Sequence, residues 1–102
     1  MAYKLIWSEE AVSNLENILN YLGSNWSETE VKNFKSLLSK KLELISIFPT
    51  IFPKSEFVPN LRRAVLSKHI SIFYKIIDEV IYIAYLFDNR QDIERLKWLY
   101  TG

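Results

Sequence analysis

The chain has 102 residues, 49% of them hydrophobic, which is enough to enclose one core and too few for two ordinary domains, so residues 1–102 are read as a single domain. Its formal charge of +1 excludes the large basic excess of proteins whose main task is gripping a nucleic acid backbone. The absence of cysteine excludes disulfides, thiolate metal sites and a cysteine nucleophile; with no apolar run near the roughly 18 residues of a spanning helix and no secretion-type start, the expected setting is the cytoplasm, without a membrane partner.

Tyr3 to Trp7 predicts a short strand, after which Ser8 caps a helix whose first turn carries Glu9 and Glu10, favourably placed against the helix dipole. Ala11, Leu15, Ile18, Leu19 and Leu22 then recur at helical spacing, and Gly23 supplies a stop. Ser27 with Glu30 three residues later is the capping-box pattern of a second helix. Val31, Phe34, Leu38, Leu42 and Ile45 form its apolar stripe, and Pro49 ends it. The two helices are expected to make an antiparallel hairpin.

From Pro49 to Pro59, three prolines and little periodicity predict a connecting segment of constrained shape, its aromatics pinned to the core. The Ile-Phe-Pro at 47–49 and again at 51–53 is too closely spaced to be an architectural repeat. Leu61 to Leu66, His69 to Ile77 and Val80 to Phe87 then read as three strands rich in branched and aromatic residues. Only Asp78 and Glu79 separate the last two, which predicts a hairpin. Alternation places Ile70, Ile72, Tyr74 and Ile76 on one face of the middle strand; His69, Ser71, Phe73, Lys75 and Ile77 take the other, the face available for chemistry.

The fold class is therefore α+β, a two-helix hairpin packed on a small antiparallel sheet in the order β-α-α-β-β-β. A polar turn from Asp88 to Asp92 follows, and Ile93 to Tyr100 is a short helix or an extended arm. Ile93, Leu96, Trp98, Leu99 and Tyr100 put apolar area into this terminus that a partner could cover.

Arg62 and Arg63 are adjacent in a strand and so point to opposite faces; one is expected to pair with a helix carboxylate and the other to be exposed. His69 is the only histidine, and no acid or base is placed beside it by the sequence. Lys68, Lys75 and Arg90 make a small basic patch if the sheet brings them together. Asn89, Arg90 and Gln91, directly after a buried strand, suit either positioned functional groups or turn capping and a structural ion pair. Glu9 with Glu10 and Asp78 with Glu79 are read as helix-end electrostatics and a hairpin turn, so neither a metal nor a cofactor is expected.

IWSEEAVSNLENILNYL, Trp26 between the helices, IFPTIFP, LRRAVLSKHISIFYKI and LFDNRQDIERL together resemble the RelE/ParE superfamily of toxins from bacterial type II toxin-antitoxin systems, over nearly the full length. The resemblance implies a growth-inhibiting toxin of the plasmid-stabilisation kind, neutralised by a cognate antitoxin, as a homodimer or a toxin-antitoxin heterotetramer. The superfamily divides in two: RelE-like members cut messenger RNA in the ribosome, and ParE-like members poison DNA gyrase and have no known nuclease chemistry. Cleavage through a 2'-hydroxyl needs a base, an acid and cations for the phosphoryl charge. RelE-like nucleases supply these with arginines at positions that align with Leu66 and Ser71, and often with a tyrosine or histidine near the position of Leu96.

The ParE-like subclass, a gyrase inhibitor and not an enzyme, is accordingly expected, and no catalytic residue is assigned. The alternatives are a ribosome-dependent endoribonuclease using a set such as Arg63, Lys68, His69 and Arg90, and a degenerate non-toxic binding module. Candidate contacts to target or antitoxin are Arg62, Arg63, Lys68, His69, Asn89, Arg90, Gln91, Leu96 and Trp98.

Overall fold

The computed structural model describes residues 2–25 and 27–88. They form strand β1 (Lys4–Trp7), helices α1 (Glu9–Asn25) and α2 (Glu28–Ile47), and strands β2 (Arg62–Val65), β3 (Ile70–Ile77) and β4 (Val80–Asp88), the expected order. The Ser8 hydroxyl accepts from the Ala11 N–H at 2.9 Å and caps α1. Gly23 does not stop the helix, which runs on to Asn25; the glycine lacks the positive φ of a C-terminal cap. Ser27, in extended conformation, accepts from the Glu30 N–H at 3.3 Å, and α2 closes at Phe48, whose N–H donates to Leu44, immediately before Pro49.

The sheet order is β1-β4-β3-β2. The expected antiparallel pairing holds for β2, β3 and β4, whereas β1 lies parallel to β4, so the sheet is mixed. Two helices separate β1 from the other strands, and a crossover of that length permits the parallel return. Asp78 and Glu79 make the hairpin turn, with Ile77 opposite Val80 and Asp78 at φ 55°.

The β3–β4 register carries one irregularity: Phe73 pairs with Tyr85 but Tyr74 with Ile83, which leaves Ala84 as an extra residue on β4. The extra residue inverts the alternation. Ile81, Ile83 and Leu86 all enter the core beneath the helices, while Ala84, Tyr85 and Phe87 enter a second cluster on the opposite face. Past Trp7 the start of α1 replaces β1 as the neighbour of β4. The Ser8 N–H donates to the Ile83 carbonyl at 3.0 Å, the Ser8 hydroxyl donates to the Ala84 carbonyl at 2.8 Å, and the Leu86 N–H donates to Asn14 Oδ1 at 3.2 Å. Backbone groups at the bulge are thereby satisfied by the helix it touches.

Ala11, Leu15, Ile18 and Leu19 of α1 and Phe34, Leu38, Leu42 and Ile45 of α2 close the main core over Ile70, Ile72, Tyr74 and Ile76. The opposite face is only partly open, because Phe57, Val58 and Leu61 fold over Phe73, Ala84 and Phe87. That loop is held by the Ser55 hydroxyl, which accepts from the Phe57 and Val58 N–H groups at 3.1 Å each, and by the Ser55 N–H, which donates to the Leu61 carbonyl at 2.7 Å. Of the two Ile-Phe-Pro aromatics, Phe52 packs against the core as expected, but Phe48 remains 53% exposed.

Candidate functional site

Arg62 and Arg63 do face opposite sides of the sheet. Arg62 stands across from Tyr74 on the helix side, and its Nη1 donates to the Phe52 carbonyl at 2.7 Å and the Thr50 carbonyl at 3.3 Å. Backbone carbonyls thus take the place of the expected helix carboxylate. The buried Tyr74 hydroxyl donates to the Pro49 carbonyl at 2.6 Å; burial pushes its pKa up to about 12 against the opposing pull of the Arg62 guanidinium. Together these two side chains staple the proline segment to the sheet, a structural task.

Arg63 points to the second face, where its Nε donates to the Ser71 hydroxyl at 3.1 Å and its guanidinium lies 5.9 Å from the Phe73 ring centroid. Ser71 is fully buried and Leu66 is 4% exposed. Both positions that align with nuclease arginines are therefore sealed inside the fold. Lys68 and His69 lie in the turn before β3 and not in the strand, which begins at Ile70; Lys68 is exposed and His69 half-buried. Lys75 sits seven residues beyond Lys68, roughly 20 Å away along extended chain, so these two do not form one patch. Asn89, Arg90, Gln91, Leu96 and Trp98, like Trp26, lie outside the described residues.

Two further surfaces stand out. A groove of about 260 Å³ at the uncovered end of the second face is lined by Ile6, Glu10, Lys75, Tyr82 and Tyr85 among others. Burial, and secondarily the Glu10 carboxylate, raises the Tyr85 hydroxyl pKa above its ordinary value. The other surface is on α2 and the residues after it, where Leu37, Leu44, Ile47, Phe48 and Ile51 are all more than a third exposed. The sequence reading missed this flank because it assigned the helix a single stripe. Leu37 and Leu44, seven residues apart and outside that stripe, are the signal that could have found it. Among the described residues there is no group of three metal-ligating side chains, and no helix is long and apolar enough to cross a membrane.

Residues 5–93 match the model of the ParE toxin of type II toxin-antitoxin systems, parDE. The chain belongs to the ParE toxin family. The ParE fold is seen equally in solved structures. The chromosomal ParDE system of P. aeruginosa is 16% identical with a TM-score of 0.71, covering 85% of this chain and 96% of that one. A mutant E. coli toxin RelE in the free state is 19% identical with a TM-score of 0.63 over the whole of both chains. The E. coli RelBE toxin-antitoxin complex is 22% identical with a TM-score of 0.58, covering 85% and 96%. No curated protein sequence matches the chain. The α+β architecture and the ParE/RelE superfamily membership expected from the sequence are thus both found.

Proposed function

We propose that this ParE-family toxin inhibits growth by binding DNA gyrase when free, and that a cognate antitoxin neutralises it by covering apolar surface that the free toxin exposes. The observation that carries the first half is the burial of Leu66 and Ser71. A nuclease needs cations that can meet the phosphoryl group, and neither of these two buried positions carries one. The formal charge of +1 supports the same reading, since a ribosomal nuclease works against a dense field of phosphates. For the second half, the support is the exposed apolar flank of α2 and the ParDE and RelBE assemblies formed by proteins of this fold.

A ribosome-dependent ribonuclease keeps one observation in its favour: Arg63 delivers a guanidinium beside Ser71 from the neighbouring strand. Induced expression of the chain alone in a bacterial cytoplasm separates the readings. Relaxed chromosomal DNA with intact messenger RNA supports the gyrase reading. Codon-phased cuts in messenger RNA that disappear in an Arg63→Ala variant would establish the nuclease, and normal growth would mark a non-toxic binding module.

A further inference from the structure

β1 is an outer strand of the sheet, with β4 on one side of it. In a parallel pair, alternate residues turn both backbone groups toward the neighbouring strand. The Lys4 N–H donates to the Glu79 carbonyl at 3.4 Å and the Ser8 N–H to the Ile83 carbonyl at 3.0 Å. Lys4, Ile6 and Ser8 therefore face β4, and Tyr3, Leu5 and Trp7 face outward. The Tyr3 N–H is taken by the Ser46 carbonyl at the end of α2, at 2.8 Å. Among the described residues, no backbone partner meets the outward groups of Leu5 and Trp7. An outer edge left in this state accepts a further strand.

The charges around β1 select the strand that fits. Lys4 and Ile6 are exposed, whereas Leu5 and Trp7 pack against the main core. Glu10 lines the same groove as Ile6 and Tyr82, so it stands on the face that Ile6 occupies. The edge is thus basic at its start and acidic just past its end, where Glu9 and Glu10 are both exposed. A strand of the same sequence running the other way sets each end against its opposite charge, and a two-fold axis through an edge strand requires that direction. The register follows as well. Tyr3 is engaged by α2 and Glu9 is already helical, so Leu5 pairs with Trp7 of the other copy, and Trp7 with its Leu5.

We propose that two copies of this chain associate edge to edge through antiparallel pairing of β1, which joins their two four-stranded sheets into one. Each Leu5–Trp7 pair exchanges both backbone hydrogen bonds. Ile6 meets Ile6 on the axis as a pair without hydrogen bonds, the Cα atoms about 4.5 Å apart, where side chains approach most closely. Lys4 comes opposite Ser8 of the other copy, beside its Glu9 and Glu10, and symmetry makes this attraction twice. The grooves beside Tyr82 meet across the axis. So short an interface belongs with weak, reversible associations, with a dissociation constant on the order of 10 μM.

Sedimentation of the purified chain over concentrations on both sides of that value is the test, combined with amide exchange read residue by residue. The wild type should pass from monomer to dimer, and the Leu5 and Trp7 amides should gain protection as it does. Ile6→Lys, which opposes like charges on the axis at an exposed position, should weaken the dimer by about 10-fold or more with the melting point retained. Lys4→Glu and Glu10→Lys should each weaken self-association, yet an equimolar mixture of the two variants should form a mixed dimer, since every Lys4–Glu10 contact is then again between opposite charges. Val65→Lys, at a 53% exposed position on the opposite edge strand β2, should dimerise like wild type. A wild type that stays monomeric throughout would overturn the proposal. So would a dimer indifferent to Ile6→Lys, or one lost in Val65→Lys with the Leu5 and Trp7 amides unprotected. Two charge variants that fail to associate when mixed would overturn the antiparallel register.

Discussion

Tyr74 and Arg62 hold three carbonyl acceptors of the proline segment, at Pro49, Thr50 and Phe52. The Tyr74 hydroxyl must stay protonated to donate, which ties stability to alkaline pH. Below pH 10 the hydroxyl is neutral in both folded and unfolded chain and contributes no pH dependence. Between pH 10 and about 12 the unfolded chain ionises first, so stability falls as pH rises, by roughly 2 to 3 kcal/mol in total for this group. Tyr85, raised in the same direction, adds to that limb. Urea unfolding from pH 7 to 11 should show the decline. Tyr74→Phe should flatten most of it and cost about 1 kcal/mol at pH 7 through the lost hydrogen bond; an unchanged alkaline slope in that variant would refute the assignment.

The junction of α1 with β4 rests on few atoms. Ser8 caps the helix and donates to the Ala84 carbonyl through the same hydroxyl, so Ser8→Ala removes both and should destabilise the protein by about 2 kcal/mol in urea unfolding. Gly23 gives the opposite expectation. It sits inside α1, its φ is not positive, and an added Cβ meets nothing within 4 Å, so Gly23→Ala should raise stability by about 0.5 to 1 kcal/mol. How far the sequence could be read depends on how local each signal is. Ser8, Ser27 with Glu30, and Asp78 with Glu79 act within one turn of chain and could be read directly. The bulge at Ala84 could not, because in the almost wholly apolar run from Val80 to Phe87 a change of face leaves no mark in hydrophobicity. The parallel place of β1 beside β4 was equally hidden, since a four-residue strand does not encode its partner. Gly23 misled as a stop because glycine ends a helix only where the backbone turns left-handed.

At the scale of the whole molecule, the sheet has one face under the helices and another half-closed by the loop around Val58, and among the described residues the surfaces open to partners include the groove beside Tyr82, the end of the sheet near Lys68, and the flank of α2. The opposed faces of Arg62 and Arg63 were legible from strand alternation. Their partners were not, because Thr50, Phe52 and Ser71 come into reach only through the folding of the proline segment and the β2–β3 pairing. The flank of α2 escaped because it lies beside the main stripe of the same helix, where apolar residues read as extra core. The gyrase reading proposed above treats these surfaces as sites for a large protein partner. The most direct test of that reading is a pair of reactions with the same purified chain: supercoiling of relaxed plasmid by purified gyrase, and translation of a defined messenger in a reconstituted ribosomal system. The account predicts that supercoiling stops at toxin concentrations near those of the enzyme while the messenger stays full length. Undisturbed supercoiling with a messenger cut in the ribosome would contradict it.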